Sequence, residues 1–285
     1  MANLKDIRNR IKSVKSIQQV TKAMKMVAAA KMRKAQERME QARPYTKKLH
    51  GMILSLLPDI DRSLLPLLDI RPVRRTAVVV ITSDRGLAGS FNTNLIKQAQ
   101  ALIDERGKEN VDLICIGKKG RDFFRRRGYT ITAEYIDFWS ELDFNLATKI
   151  SQGIISHFTQ GLVDEILVAY NEFVNVAVQE IIIEKLLPLS YEEDQPVPSA
   201  GERLYEPSRD DIVVSLVPRH VNVQVWQYLL ESYASEQAAR MVAMENATSN
   251  AADMIKALQL QYNKARQASI TTEMLEIVSG AEALT

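Results

Sequence analysis

The segment ITSDRGLAGSFN at 81–92 joins an apolar run to an acidic loop with two glycines, and a helix start follows. A strand that turns through glycine into a helix can cradle a phosphate, because the first N–H groups of the helix are free to meet an anion. The spacing matches neither G-x-G-x-x-G nor a loop ending in Gly-Lys-Ser/Thr. Gly86 and Gly89 are therefore read as turn residues. Acid–base chemistry would need two carboxylates set apart by their spacing, and Asp84, Glu134, Asp137, Glu141 and Asp143 contain no such pair. His50, His157 and His220 are scattered, and Cys115 is the single cysteine, which excludes an intramolecular disulfide and a multi-cysteine metal site. The tyrosines and tryptophans are too dispersed for a base-stacking platform. This reading expects no catalytic residue, no cofactor and no metal.

Charge is distributed unevenly. The first 50 residues hold fourteen Lys and Arg against Asp6, Glu37 and Glu40, although the whole chain of 285 residues carries a net charge of only +2. A basic block of this size suits a nucleic acid, an anionic membrane or an acidic protein partner, and composition alone leaves the three open. Apolar residues are interleaved with lysine throughout, unlike the continuous apolar stretch of a secretion signal, so the segment is expected to be mature structure. Hydrophobic content of 46% with 25% charged residues is that of an ordinary globular chain.

The elements that must position these residues follow from where glycine and proline fall. Neither occurs before Pro44, and neither occurs in the 61 residues from Arg219 to Ser279. Uninterrupted runs of that length predict long partnered helices rather than globular ones. Met241, Met244, Thr248, Ala251, Ile255, Leu258, Tyr262 and Ala265 alternate three and four apart, the seam of a coiled coil. Leu4, Ile7, Ile11 and Val14 open a matching seam, which Ile17, Val20, Met24 and Val27 are expected to continue on a slightly rotated stripe. Each helix is the other's natural partner, antiparallel, with a bare tip at the C-terminal end. Between them, Ala77–Thr82, Leu113–Gly117, Ile131–Ile136, Ile166–Tyr170 and Val176–Leu187 read as strands, with a helix over Asn145–Phe158. Continuous aliphatic strands alternating with helices predict a mostly parallel sheet. The expected fold is α/β: a long antiparallel coiled coil of the N- and C-terminal helices (1–56 and 209–285) with a Rossmann-like α/β domain (73–190) inserted between them.

LKDIRNRI (4–11), VTKAMKMVAAAKMRKAQ (20–36), ITSDRGLAGSFN (81–92), SEQAARMVAMENATSNA (235–251) and YNKARQASITTEMLEIVSGA (262–281) together resemble the gamma subunit of F-type ATP synthases. The last block, Ile270-Thr271-x-Glu273-x-x-Glu276-x-x-x-Gly280-Ala281, is the most specific. The resemblance implies a central rotor stalk that couples rotation of the membrane c ring to the beta-subunit catalytic sites and has no active site of its own. It implies alpha and beta subunits, an epsilon subunit and the c-subunit ring as partners, no nucleic acid, and contact with the membrane only through the complex. By position, Arg266, Gln267, Thr271 and Glu273 would meet beta-subunit loops. Lys22, Met24 and Lys25 would lie near the acidic beta lever, and Tyr205 and Glu206 would reach the c ring. The dithiol insertion of chloroplast members is missing, so the resemblance is to a bacterial member, peripheral on the cytoplasmic face of the cell membrane. A nucleotide-dependent enzyme and a nucleic-acid binder remain the competing classes, separable by nucleotide binding to the middle domain and by salt-dependent binding to duplex DNA.

Overall fold

A computed structural model describes residues 4–56, 65–189, 206 and 208–282. Helix α1 spans Leu4–Leu56 and helix α5 spans Arg209–Glu282. Between them come β1 (Thr76–Ile81), α2 (Phe91–Arg106), β2 (Val111–Ile116), α3 (Lys118–Arg126), β3 (Ile131–Tyr135), α4 (Phe144–Thr159), β4 (Glu165–Phe173) and β5 (Gln179–Leu187). Pro44 and Pro218 lie inside the two long helices. Each removes one helical N–H, and the carbonyl that loses its partner sits four residues earlier, on exposed Glu40 and Val214, where water can meet it.

The chain divides into two compact units, one formed by residues 1–28 with 241–285 and the other by residues 29–240. In the larger unit the sheet order is β3-β2-β1-β4-β5. The first four strands are parallel and β5 pairs antiparallel with β4. β1 and β2 are buried along their whole length, so their side chains feed two cores by alternation. Ala77, Val79, Ile81, Ile114 and Ile116 face α4, the end of α1 and the start of α5, whereas Val78, Val80, Leu113 and Cys115 face α2 and α3. This accounts for the aliphatic strands: with helices on both faces, polar residues are confined to the strand starts, at Thr76 and at Asp112, which Arg75 pairs. Burial pushes the Cys115 thiol up to about 12, leaving it an inert packing group.

His220 is 2% exposed, on α5, with its ring 5.5 Å from that of His50 on α1. Burial, and secondarily His50, lower its pKa from 6.5 to about 4. The folded state therefore prefers the neutral ring. That stability is complete above pH 6.5 and is lost as pH falls toward 4, on the order of 3 kcal/mol for a shift of this size. Urea midpoints measured between those two pH values should fall steeply for the native chain, and His220→Phe should flatten that decline.

In the smaller unit the two helix segments are antiparallel. Arg8 Nη2 donates to Tyr262 Oη at 2.7 Å, the Thr21 and Thr248 hydroxyls bond at 2.8 Å, and Lys25 Nζ pairs with Glu245 at 2.6 Å. Advancing along α1 thus retreats along α5. The α5 seam is the expected one, with Met244, Ala251, Ile255 and Leu258 buried and Met241, Thr248, Tyr262 and Ala265 partly so. The α1 seam departs from expectation after Val14. Gln18, Thr21, Lys25 and Ala28 turn inward, whereas Ile17, Val20 and Val27 are 54%, 57% and 54% exposed. The strict three-four spacing that begins at Leu4 continues through polar residues, and the Thr21–Thr248 bond satisfies the hydroxyls this buries.

Candidate functional site

Two regions could carry function: the crevice at the carboxyl ends of the parallel strands, and the surface of the two-helix unit.

In a sheet of this order the connections change direction between β1 and β4, and ligands of such sheets bind outside the strand ends at that point. Here that point is taken by α5. Arg240 Nη2 donates to the Gly86 carbonyl at 3.0 Å and the Arg85 carbonyl at 3.5 Å, and Arg240 Nη1 pairs with Glu236 at 2.6 Å. Both partners are nearly inaccessible, at 8% and 5% exposure. Burial raises the Glu236 carboxyl above its ordinary range, and Arg240 opposes that rise. On the β4 side, Ser235 Oγ donates to the Asn171 carbonyl at 3.2 Å and Asn171 N donates to Ser232 Oγ at 3.4 Å. The glycine loop is tied from below as well. Asp84 accepts from Lys118 N at 2.9 Å and Asp137 N at 2.8 Å, and Ser83 N donates to Asn92 Oδ1 at 2.9 Å. Gly89 has φ +56°, a left-handed turn that suits glycine.

Of the remaining acidic candidates Glu141 is exposed, and the other three are engaged by a donor or a cation. Asp143 caps α4 by accepting from Leu146 N at 2.8 Å, Asp137 pairs with Lys118 at 2.7 Å, and Glu134 pairs with Arg125 and Arg121. Asp84 and Asp137 meet around Lys118, one holding its backbone N–H and the other its ammonium, so their charges are engaged rather than poised as an acid–base pair. Among the described residues there is also no His, Cys, Asp and Glu grouping suited to a metal ion.

The two-helix unit presents the other site residues. Arg266, Gln267, Thr271 and Glu273 all lie exposed on α5. Thr271 Oγ1 donates to the Gln267 carbonyl at 2.9 Å, and Ser269 Oγ donates to Glu273 at 3.1 Å, so these two polar groups are steadied within the helix. Beyond Ser269 every described side chain whose exposure is given is exposed, including Ile270, Met274, Leu275, Ile277 and Val278 at 48–72%. Ile270, Met274, Ile277 and Val278 recur at helical spacing and make one apolar stripe. On α1, Lys22 is exposed, Met24 is partly buried and Lys25 is drawn toward Glu245. Lys22, Lys25, Met26, Glu245 and Ser249 line an open groove of about 610 Å³. Glu206 is exposed, and Tyr205 lies outside the described residues. Sequence reasoning missed Ile17, Val20 and Val27 as surface groups by counting them into the seam. The signal that would have placed them outside is the unbroken heptad count from Leu4.

The two-helix unit carries an outward apolar stripe, and in the larger unit the nucleotide-type crevice is filled by the chain's own helix. The family described as ATP synthase matches residues 3–284. The ATP synthase gamma chain of Prosthecochloris aestuarii is 52% identical over 100% of this chain and 99% of its own length. This chain belongs to the ATP synthase gamma family. A chain from the central stalk and c ring of the Tetrahymena thermophila mitochondrial ATP synthase matches with 25% identity and a TM-score of 0.63, over 80% of this chain and 99% of that one. A chain from the Euglena gracilis mitochondrial ATP synthase, in an assembly of OSCP, F1 and c ring, shares the fold at 23% identity and a TM-score of 0.72, over 99% of this chain and 94% of that one. As in its gamma-chain expectation, the fold is a parallel-dominated sheet with long terminal helices. No helix among the described residues is long and apolar enough to cross a membrane.

Proposed function

We propose that this gamma chain is the central rotor stalk of a proton-translocating ATP synthase and performs no chemistry itself. It couples rotation of a c ring to the conformations of beta-subunit catalytic sites inside a ring of three alpha and three beta subunits. The observation that carries this reading is the C-terminal stripe of Ile270, Met274, Ile277 and Val278, exposed where no helix among the described residues covers it. So much apolar helix surface is stable in solution only when another subunit covers it. The Arg240–Glu236 pair across the strand-end crevice supports the non-catalytic part of the reading, because it occupies the place a nucleotide would need.

In this assignment Arg266, Gln267, Thr271 and Glu273 meet beta-subunit loops, and Lys22, Met24 and Lys25 face the acidic beta lever. Tyr205 and Glu206 reach the c ring, and an epsilon subunit binds the sheet domain. The chain is peripheral, on the cytoplasmic face of a bacterial membrane. A shaft inside a threefold collar must hold three orientations with nearly equal free energy, which favours a smooth surface over deep pockets. Torque is then a coupling free energy, since each orientation favours a different nucleotide state on the three surrounding sites. The test is co-purification of the tagged full chain. It should recover alpha and beta subunits at one copy of this chain per three of each, and recovery of the chain without them would refute the assignment.

A further inference from the structure

A second cavity lies within the larger unit and plays no part in the rotor reading. About 660 Å³ in volume, it is enclosed by α1, the β4–β5 ribbon and α5. Tyr170 and Tyr228 lie side by side in its wall, ring centroids 4.6 Å apart. Three carboxylates line it: Glu172 from β4, Glu184 from β5 and Glu231 from α5. None of the three forms an ion pair with a described residue, and the rim cations Arg43 and Lys47 stand on the exposed side of α1.

The cavity is also short of donors. Glu231 is 7% exposed, and Gln227 Nε2 donates to its Oε1 at 2.9 Å. The Phe173 N–H lowers the Glu231 pKa slightly, yet no donor reaches Oε2 with hydrogen-bond geometry. His220 Nδ1, in a ring 2% exposed, and Gln224 Oε1 are unpartnered as well. All three residues line the same cavity, and the carboxylate and amide oxygens can only accept. Burial chiefly, and then Glu172 and Glu184, raise the Glu231 carboxyl; Arg43 and Lys47 also line the cavity but form no ion pair with these carboxylates, which repel one another. Buried acceptors and uncompensated negative charge are both relieved by a ligand that brings several N–H donors and a positive charge. A bare metal ion fits poorly, since the side chains do not converge into a metal-binding group. An aromatic wall suits an organic cation, whose charge the ring faces attract.

We propose that this cavity binds an organic cation, a guanidinium or alkylammonium group, held by Glu172, Glu184 and Glu231 against the Tyr170–Tyr228 wall. Such a group could come from a free amine or guanidine, or from a Lys or Arg side chain of a neighbouring subunit. Titrating the full chain with butylguanidinium and with butylurea, its uncharged analogue of the same shape, separates charge from shape. Butylguanidinium should bind at least about tenfold more tightly, and Glu231→Gln should weaken it by roughly that factor. Glu172→Gln, at a half-buried position the fold does not depend on, should weaken it several-fold and guards against a folding artefact. Repeating the titration on the assembled complex identifies the source. Binding lost there assigns the site to a neighbouring subunit's basic side chain, and binding kept there assigns it to a free cation. Equal binding of the two probes to the isolated chain, or no change in either variant, overturns the proposal.

Discussion

Leu258→Asp should leave ATP hydrolysis running while proton translocation stops. Leu258 and Ile255 are 6% and 9% exposed on the α5 seam of the two-helix unit. An aspartate there forfeits the burial of an aliphatic side chain and leaves a carboxylate in an apolar seam, a combined cost of roughly 3–5 kcal/mol. The cost falls on the smaller unit alone, since the larger unit keeps its own two cores. Trp139 and Trp226 both belong to the larger unit, which lets the two be followed separately. Far-ultraviolet circular dichroism should lose helix at a lower temperature while the tryptophan fluorescence transition stays in place. In the assembled enzyme a softened shaft no longer transmits torque, so the ratio of protons pumped to ATP hydrolysed should fall by tenfold or more. Leu258→Met, which preserves volume and polarity, should behave as the parent does. Undiminished pumping by the aspartate variant would sink the rotor account.

Arg240→Ala is the second large effect, and it concerns stability of the sheet domain. The substitution strands the Glu236 carboxylate at 5% exposure and removes the donor that caps the Arg85 and Gly86 carbonyls. Breaking one side of a buried pair costs about 3–5 kcal/mol, because the remaining charge keeps its desolvation penalty. For a domain of this size that is a fall of about 10 °C in melting temperature. The double variant Arg240→Met with Glu236→Gln should recover more than half of the loss, since it removes the buried charge together with its partner. A double variant whose loss equals the two single losses added would mean that the pair is not coupled. Urea titration followed by tryptophan fluorescence measures Arg240→Ala, the single variants Arg240→Met and Glu236→Gln, and the double variant.

Much of the architecture was legible because its causes are local and periodic. The absence of glycine and proline from Arg219 to Ser279 marks a long helix, and the three-four repeat from Met241 to Ala265 marks the face it buries. Val78–Val80 and Leu113–Ile116 are aliphatic on both sides, which only a strand covered by helices on both faces requires. The α1 seam was harder to read because hydrophobicity and heptad register disagree there. Ile17, Val20 and Val27 look like core residues, but the unbroken count from Leu4 puts Gln18, Thr21 and Lys25 inward. Packing against the partner helix decided in favour of register, and a threonine pair made the polar seam tolerable.

By itself the amino-acid order determined the two long helices, the strand–helix alternation and the family, since each follows from residues close together in the chain or from blocks read directly along it. The tertiary structure decided what lies far apart in sequence. It set Arg240 against the loop at Arg85 and Gly86, more than 150 residues earlier, and closed the crevice that the glycine loop had suggested as a phosphate site. It also gathered Glu172 from β4, Glu184 from β5, and Glu231 and His220 from α5 around one cavity. Neither arrangement has a sequence signature, because burial and charge at those positions depend on neighbours that only the folded chain brings together.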